Sequence, residues 1–150
     1  MTTYYRRNFT RDDQLILKDA GLVAASAAAT VSSAAKVLDL GEGFVKGNIV
    51  AEVTALDIDG NNELYDIVAQ LSSVADFSTD TLIVDKCQLP LSAAEVKRTD
   101  SNIDSAVGRY VLPFDNEYAG VVYRYMRLYT ICAGAGISTG INYSAFLARD

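Results

Sequence analysis

The sequence predicts an all-β fold, a sandwich or barrel of about eight short antiparallel strands. Three observations carry this. Runs of strand length, rich in Val, Ile, Leu and Tyr, recur at fairly even spacing from Leu15 to Leu147, with Gly, Asp, Asn and Pro clusters between them. The longest runs alternate apolar and polar residues with period two. A single four-residue stretch carries a helix-capping signal, so strands dominate.

Residues 1–13 form an arm ahead of a domain spanning residues 14–150. Tyr4, Tyr5, Arg6, Arg7, Asn8 and Phe9 follow one another with no helical or strand period. Tyr, Phe and Arg are the residues that dominate interface energetics, so the arm is expected either to lie extended on a partner or to be a frayed terminus.

Leu15-Ile-Leu17 reads as a short strand that turns at Gly21. Ala24–Ala35 holds seven alanines, which favour helix by propensity. A helix needs an apolar face to bury, and this span offers only Val31, so an irregular or weakly extended segment is expected. Lys36–Leu40 is another short strand, running into Gly41-Glu-Gly43. Asn48–Leu56 places Ile49, Ala51, Val53 and Ala55 on one side, and Leu64–Leu71 alternates again. With Asp57-Ile-Asp-Gly-Asn-Asn62 between them, these two runs predict a hairpin.

Thr81–Cys87 is β-branched and is expected to stop before Pro90, and Val107–Leu112 to stop at Pro113. Between them Ser92-Ala-Ala-Glu95 has the spacing of a capping box and predicts one helical turn. Phe114–Glu117 is read as a connection. Val121–Ala133 and Ile141–Ala148 flank a loop containing Gly134, Gly136 and Gly140, the outline of a closing hairpin. In the first of these, Met126, Leu128 and Cys132 take the core side, while Tyr123, Tyr125, Arg127 and Tyr129 line the other. In the second, Ile141, Tyr143, Ala145 and Leu147 share the core face.

At 150 residues, half of them apolar, the chain can bury roughly two-thirds of its unfolded surface and needs no metal or disulfide to fold. Cys87 and Cys132 sit inside predicted strands and read as buried small hydrophobes. The net charge of −6 opposes non-specific nucleic-acid binding, which is driven by clustered Lys and Arg. No apolar run reaches membrane-spanning length and the start lacks a signal-peptide core, so a soluble protein made in the cytoplasm is expected.

The chain has no histidine. That removes Ser-His and Cys-His nucleophiles, an imidazole base and His-ligated zinc. No phosphate-binding glycine motif opens a helix, so no cofactor is expected. Asp115 and Glu117 are the candidates for a carboxylate glycosidase, but neighbouring loop acids more often cap backbone amides, and the expectation is a non-enzyme. Asp57, Asp59, Asn61 and Glu63 depart from calcium-loop spacing, because glycine stands fourth instead of sixth. The Tyr123, Tyr125, Arg127 and Tyr129 stripe suits a sugar or protein partner, or else packs inside the sandwich or between subunits.

Phe114-Asp-Asn-Glu117, Tyr123-Arg-Tyr-Met-Arg-Leu-Tyr129 and Ser138-Thr-Gly-Ile-Asn-Tyr-Ser-Ala-Phe-Leu147, with Val37-Leu-Asp-Leu-Gly41 upstream, resemble the small capsid cement proteins of tailed bacteriophages, including those on Bordetella-phage-like heads. The resemblance implies a jelly-roll β-sandwich on the outer capsid surface of the virion. It would be a homo-oligomer, a dimer before a trimer, that bridges phage major capsid proteins without nucleic acid or membrane. Tyr4, Tyr5, Arg6, Arg7 and Phe9, with Tyr123, Tyr125, Arg127 and Tyr129, are then the expected contacts to capsid or sister subunits. The alternative is a carbohydrate-binding jelly-roll module or head-fibre base that attaches to host glycans.

Overall fold

The computed structural model describes residues 9–78, 82–93 and 104–150. Tyr4, Tyr5, Arg6 and Arg7 lie outside them. The chain enters through a 3-10 turn, Asp13–Leu15, capped by the Asp12 carboxylate, which accepts the Gln14 N–H at 2.9 Å. Six short strands follow: β1 (Ile16–Lys18), β2 (Leu22–Val23), β3 (Ala27–Ala28), β4 (Thr30–Val31), β5 (Ala34–Ala35) and β6 (Leu38–Asp39). The alanine-rich span is therefore extended, as its lack of a buriable helical face predicts. The long strands are β7 (Lys46–Leu56), β8 (Leu64–Ser72), β9 (Ile83–Ser92), β10 (Gly108–Asp115), β13 (Tyr125–Ala133) and β14 (Ile141–Arg149). A small ribbon, β11 (Glu117–Tyr118) and β12 (Val121–Val122), stands between β10 and β13.

Two antiparallel sheets result, and the fold is an all-β sandwich. One sheet runs β1-β14-β7-β10, with β2 added beside β14, and the other runs β3-β13-β8-β9, with β6 added beside β13. Ile49, Ala51 and Val53 of β7 and Tyr143, Ala145 and Leu147 of β14 face Tyr65, Ile67 and Leu71 of β8 and Met126 and Leu128 of β13 in one buried cluster. The period-two alternation thus sends the expected side chains inward, except Ala55, which is exposed. A register shift opposite Asn142 and Tyr143 changes the phase of β7 and turns Leu56 to the core instead.

Both predicted long hairpins are corrected. β7 pairs with β14 and β10, whereas β8 pairs with β13 and β9, so residues 57–63 cross from one sheet to the other. β13 and β14 likewise lie in different sheets, and residues 134–140 form a second crossover. Alternation identifies a strand and its buried face but leaves its neighbour open, and here β7 and β13 find their partners across long sequence separations. The two crossovers brace each other. Asp57 Oδ2 accepts the Ser138 N–H at 2.7 Å and the Thr139 N–H at 2.8 Å. Gly134, at φ +106°, passes so close that a Cβ would meet the Asn62 carbonyl at 2.1 Å. The long hairpin that does form joins β8 to β9, with a register shift between Ala69 and Gln70.

Pro90 and Pro113 do not end their strands; they lie inside β9 and β10. Each strand is the edge of its sheet. The Ala93 N–H donates to the Glu63 carbonyl at 3.1 Å and the Asn116 N–H to the Val45 carbonyl at 3.1 Å, which sets the phase of each ladder. In that phase both prolines point their missing donor away from the sheet, so no ladder bond is lost. Phe114 and Asp115 therefore belong to β10 and not to a connection. Ser92 ends β9, its N–H donating to Ser105 Oγ at 2.9 Å, and the helical turn expected from Ser92 to Glu95 lies outside the described residues beyond Ala93. Cys87 and Cys132 are both free thiols within strands.

Candidate functional site

The outer face of the β13–β8 sheet gathers aromatic and charged side chains around three of its ring–cation contacts. β13 alternates strictly, with Met126, Leu128 and Thr130 buried and Tyr125, Arg127 and Tyr129 half-buried on the outside. Arg127 is the centre. Its guanidinium carbon lies 4.4 Å from the Phe77 ring centroid and 5.4 Å from that of Tyr129, and its Nε donates to Gln70 Oε1 at 2.9 Å. Gln70 in turn donates to Asp85 Oδ1 at 2.9 Å. Cation–π stacking and a charge-assisted hydrogen bond together hold a long side chain that would otherwise sample many rotamers.

The β8–β9 hairpin supplies Gln70 and Asp85 to this face, and the register that pairs Arg127 with Gln70 aligns them. Phe77 comes from the connection after β8, where a positive φ of 50° turns the chain back and buries the ring. At one end of the stripe the Arg124 guanidinium grips both oxygens of Asp39, at 2.8 and 2.7 Å, and lies 5.3 Å from the Tyr125 ring centroid. The bidentate contact holds the Asp39 carboxyl down to about 2. At the other end Asp66 pairs across from Ile131. Its Oδ1 is buried and, among the described residues, has no hydrogen-bond partner; burial raises the carboxyl's pKa.

The predicted residues separate. Tyr125, Arg127 and Tyr129 share this face, but Tyr123 does not. It precedes β13 and packs against the core, its N–H donating to the Asn116 carbonyl at 2.8 Å and its carbonyl accepting from Asn116 Nδ2 at 2.8 Å. The strand begins at Tyr125 because buried Asn116 takes up Tyr123, while Val121 and Val122 pair with Tyr118 and Glu117. Phe9 lies on the outside of the opposite sheet, against Val50, Phe146 and Ala148. Asp115 forms an ion pair with Lys86 at 2.8 Å, which lowers its carboxyl's pKa, and accepts the Glu117 N–H at 3.0 Å. Of the two acids suggested for glycoside hydrolysis, Asp115 thus serves an ion pair and a backbone cap, and Glu117 joins through its backbone, its carbonyl accepting from Lys86 Nζ at 2.6 Å.

Two acids of the 57–63 crossover, Asp57 and Glu63, also cap backbone amides. Asp57 takes the 138–140 loop, and buried Glu63 accepts the N–H groups of Gly60 at 2.7 Å and Asn62 at 3.1 Å. Among the described residues no group of three or more acids or cysteines is placed to hold a metal. Phe77, Gln70, Asp85 and Asn116 were invisible as functional residues in the sequence, because only strand register and one turned loop bring them to their positions. The glutamine four residues before a turn and the aromatic within it carry no distinctive spacing.

What the fold and this surface define is a class: an antiparallel β-sandwich with a pre-ordered aromatic and arginine face. No protein-family model matches the chain, and no curated protein matches its sequence.

Proposed function

We propose that the protein is a non-catalytic structural protein of a virion, a cement or decoration protein. In this reading it seats on the outer surface of an icosahedral phage head as a homo-oligomer and ties neighbouring major capsid proteins together. The order of the eight strands along the two main paths, β1-β14-β7-β10 and β3-β13-β8-β9, supports a jelly roll, an architecture that capsid and lectin domains use. The observation that carries the reading is the Arg127 site. Aromatic and arginine anchors already held in place lose little freedom on docking. Repetition over a symmetric lattice would multiply weak contacts into resistance to the pressure of packaged DNA.

The test is co-sedimentation with expanded heads lacking this protein, titrated to saturation. A fixed ratio of copies to major capsid subunits is expected, and absence of binding would overturn the reading. A second reading, glycan attachment, is favoured by one feature: the shallow hollow lined by Gln70, Ile83, Asp85, Arg127 and Tyr129 sets a ring face beside amide and carboxylate groups. Glycan-array binding without head binding would put that reading first.

A further inference from the structure

Five of the eight large apolar side chains that stand exposed among the described residues gather on β10 or at its ends. Val111 is on the strand, Val107 precedes it at 57% exposure, and Tyr118, Val121 and Val122 form the ribbon that follows. β10 is also the longest sheet edge with an unbroken register, pairing with β7 from Gly108↔Val53 to Asp115↔Lys46. The β9 edge carries a register shift, and the β1, β3 and β6 edges are two or three residues long. Asn116, one place beyond β10, donates its N–H to Val45. Even-numbered residues of β10 therefore bond to β7, and Arg109, Val111, Pro113 and Asp115 turn their backbone groups outward. A regular edge with exposed valines at its middle and end is a template for another strand.

We propose that β10 pairs antiparallel with β10 of a second copy across a two-fold axis at Leu112, joining two sandwiches through one continuous sheet. In this register Arg109 stands opposite Asp115 of the second copy, and Val111 opposite Pro113. Arg109 and Asp115 exchange both backbone bonds, and the Val111 N–H donates to the proline carbonyl. All four side chains lie on the outer face, so the valine meets the proline ring and the guanidinium meets the carboxylate. Because Arg109 already bonds to Glu52 and Asp115 to Lys86, the contact completes an alternating row of four charges on each side of the axis. Moving the axis to Val111 would set Arg109 opposite Pro113 and leave Asp115 facing Val107. The self-complementary register selects a second copy as the occupant, and a closed two-fold uses up the β10 edge of both copies. Val107 of each copy then falls beside the β11–β12 ribbon of the other, covering the remaining apolar side chains.

The inference rests on the proposed self-association and is independent of capsid binding. Sedimentation equilibrium of the full chain should show a dimer. Val111→Pro removes an outward N–H and no ladder bond to β7, so it should weaken dimerisation roughly ten- to a hundredfold, with the far-ultraviolet circular dichroism of the parent retained. Amide exchange of the parent decides independently of how the variant folds. The Arg109, Val111 and Asp115 amides should be protected, and their protection should fall on dilution. A monomeric parent, a dimer indifferent to Val111→Pro in a folded variant, or a dimer whose three amides exchange freely would each overturn the proposal. Head binding by a monomer would leave the cement reading standing without it.

Discussion

The hydroxyls of Thr130 and Tyr143 meet 2.6 Å apart in the middle of the sandwich, the one from β13 and the other from β14. Both residues are fully buried, so this hydrogen bond joins the two sheets through the interior. Tyr143→Phe strands the threonine hydroxyl and is expected to cost about 1–3 kcal/mol in urea unfolding. Adding Thr130→Val should cost less than the sum of the two single changes, because the second removes a group the first has already orphaned. Additive losses would show that the pair is not coupled.

Tyr65 is the second buried phenol, and it donates to the Asp57 carbonyl at 2.7 Å. Burial pushes both Tyr65 and Tyr143 up to about 12. A group whose folded value is raised gives stability that is complete below its unfolded value, near 10, and lost as pH climbs through the folded one. The urea midpoint should therefore fall between pH ~10 and ~12, with phenolate absorbance from these two tyrosines arriving together with unfolding. Ionisation of both near pH ~10 in a protein that stays folded would sink this account.

Asp57 gives the opposite sign. The Thr139 and Ser138 N–H groups hold its carboxyl well below the usual carboxylate range. Its contribution is present above the unfolded value, about 4, and is lost as pH falls towards the folded one. Asp57→Asn should lower the urea midpoint at neutral pH, and the gap to the parent should close on acidification. A gap of constant size would assign the effect to geometry and not to charge.

Arg127 separates binding from folding. Arg127→Lys keeps the charge but gives up the planar stack between Phe77 and Tyr129. In the cement reading this change, or Tyr129→Ala, should weaken binding to expanded heads by about tenfold or more, with stability changed by under about 1 kcal/mol. Unaltered saturation curves for both variants would move the contact surface away from this face.

Much of the fold was legible along the chain. The alternation of Met126 with Leu128, and of Ile141, Tyr143, Ala145 and Leu147, marked the strands and their buried sides, because a half-buried strand writes its environment with period two. The prolines misled about strand ends, since Pro90 and Pro113 are tolerated on edges and nothing local says which strand is an edge. Three of the four stripe residues were found by the same period. Tyr123 failed because Asn116, distant enough in sequence to look like part of a loop, takes its backbone.

By itself the sequence determined that this protein is built of strands, which side chains those strands bury, and that histidine chemistry is excluded. Tertiary structure alone decided which strands neighbour one another, that the two glycine- and acid-rich loops are crossovers braced by Asp57, and that Phe77, Gln70 and Asp85 converge on Arg127. The reason is physical. Side-chain periodicity is a property of one strand in its own environment, whereas pairing is chosen by the whole set of strands at once, through backbone bonds that every residue type makes alike.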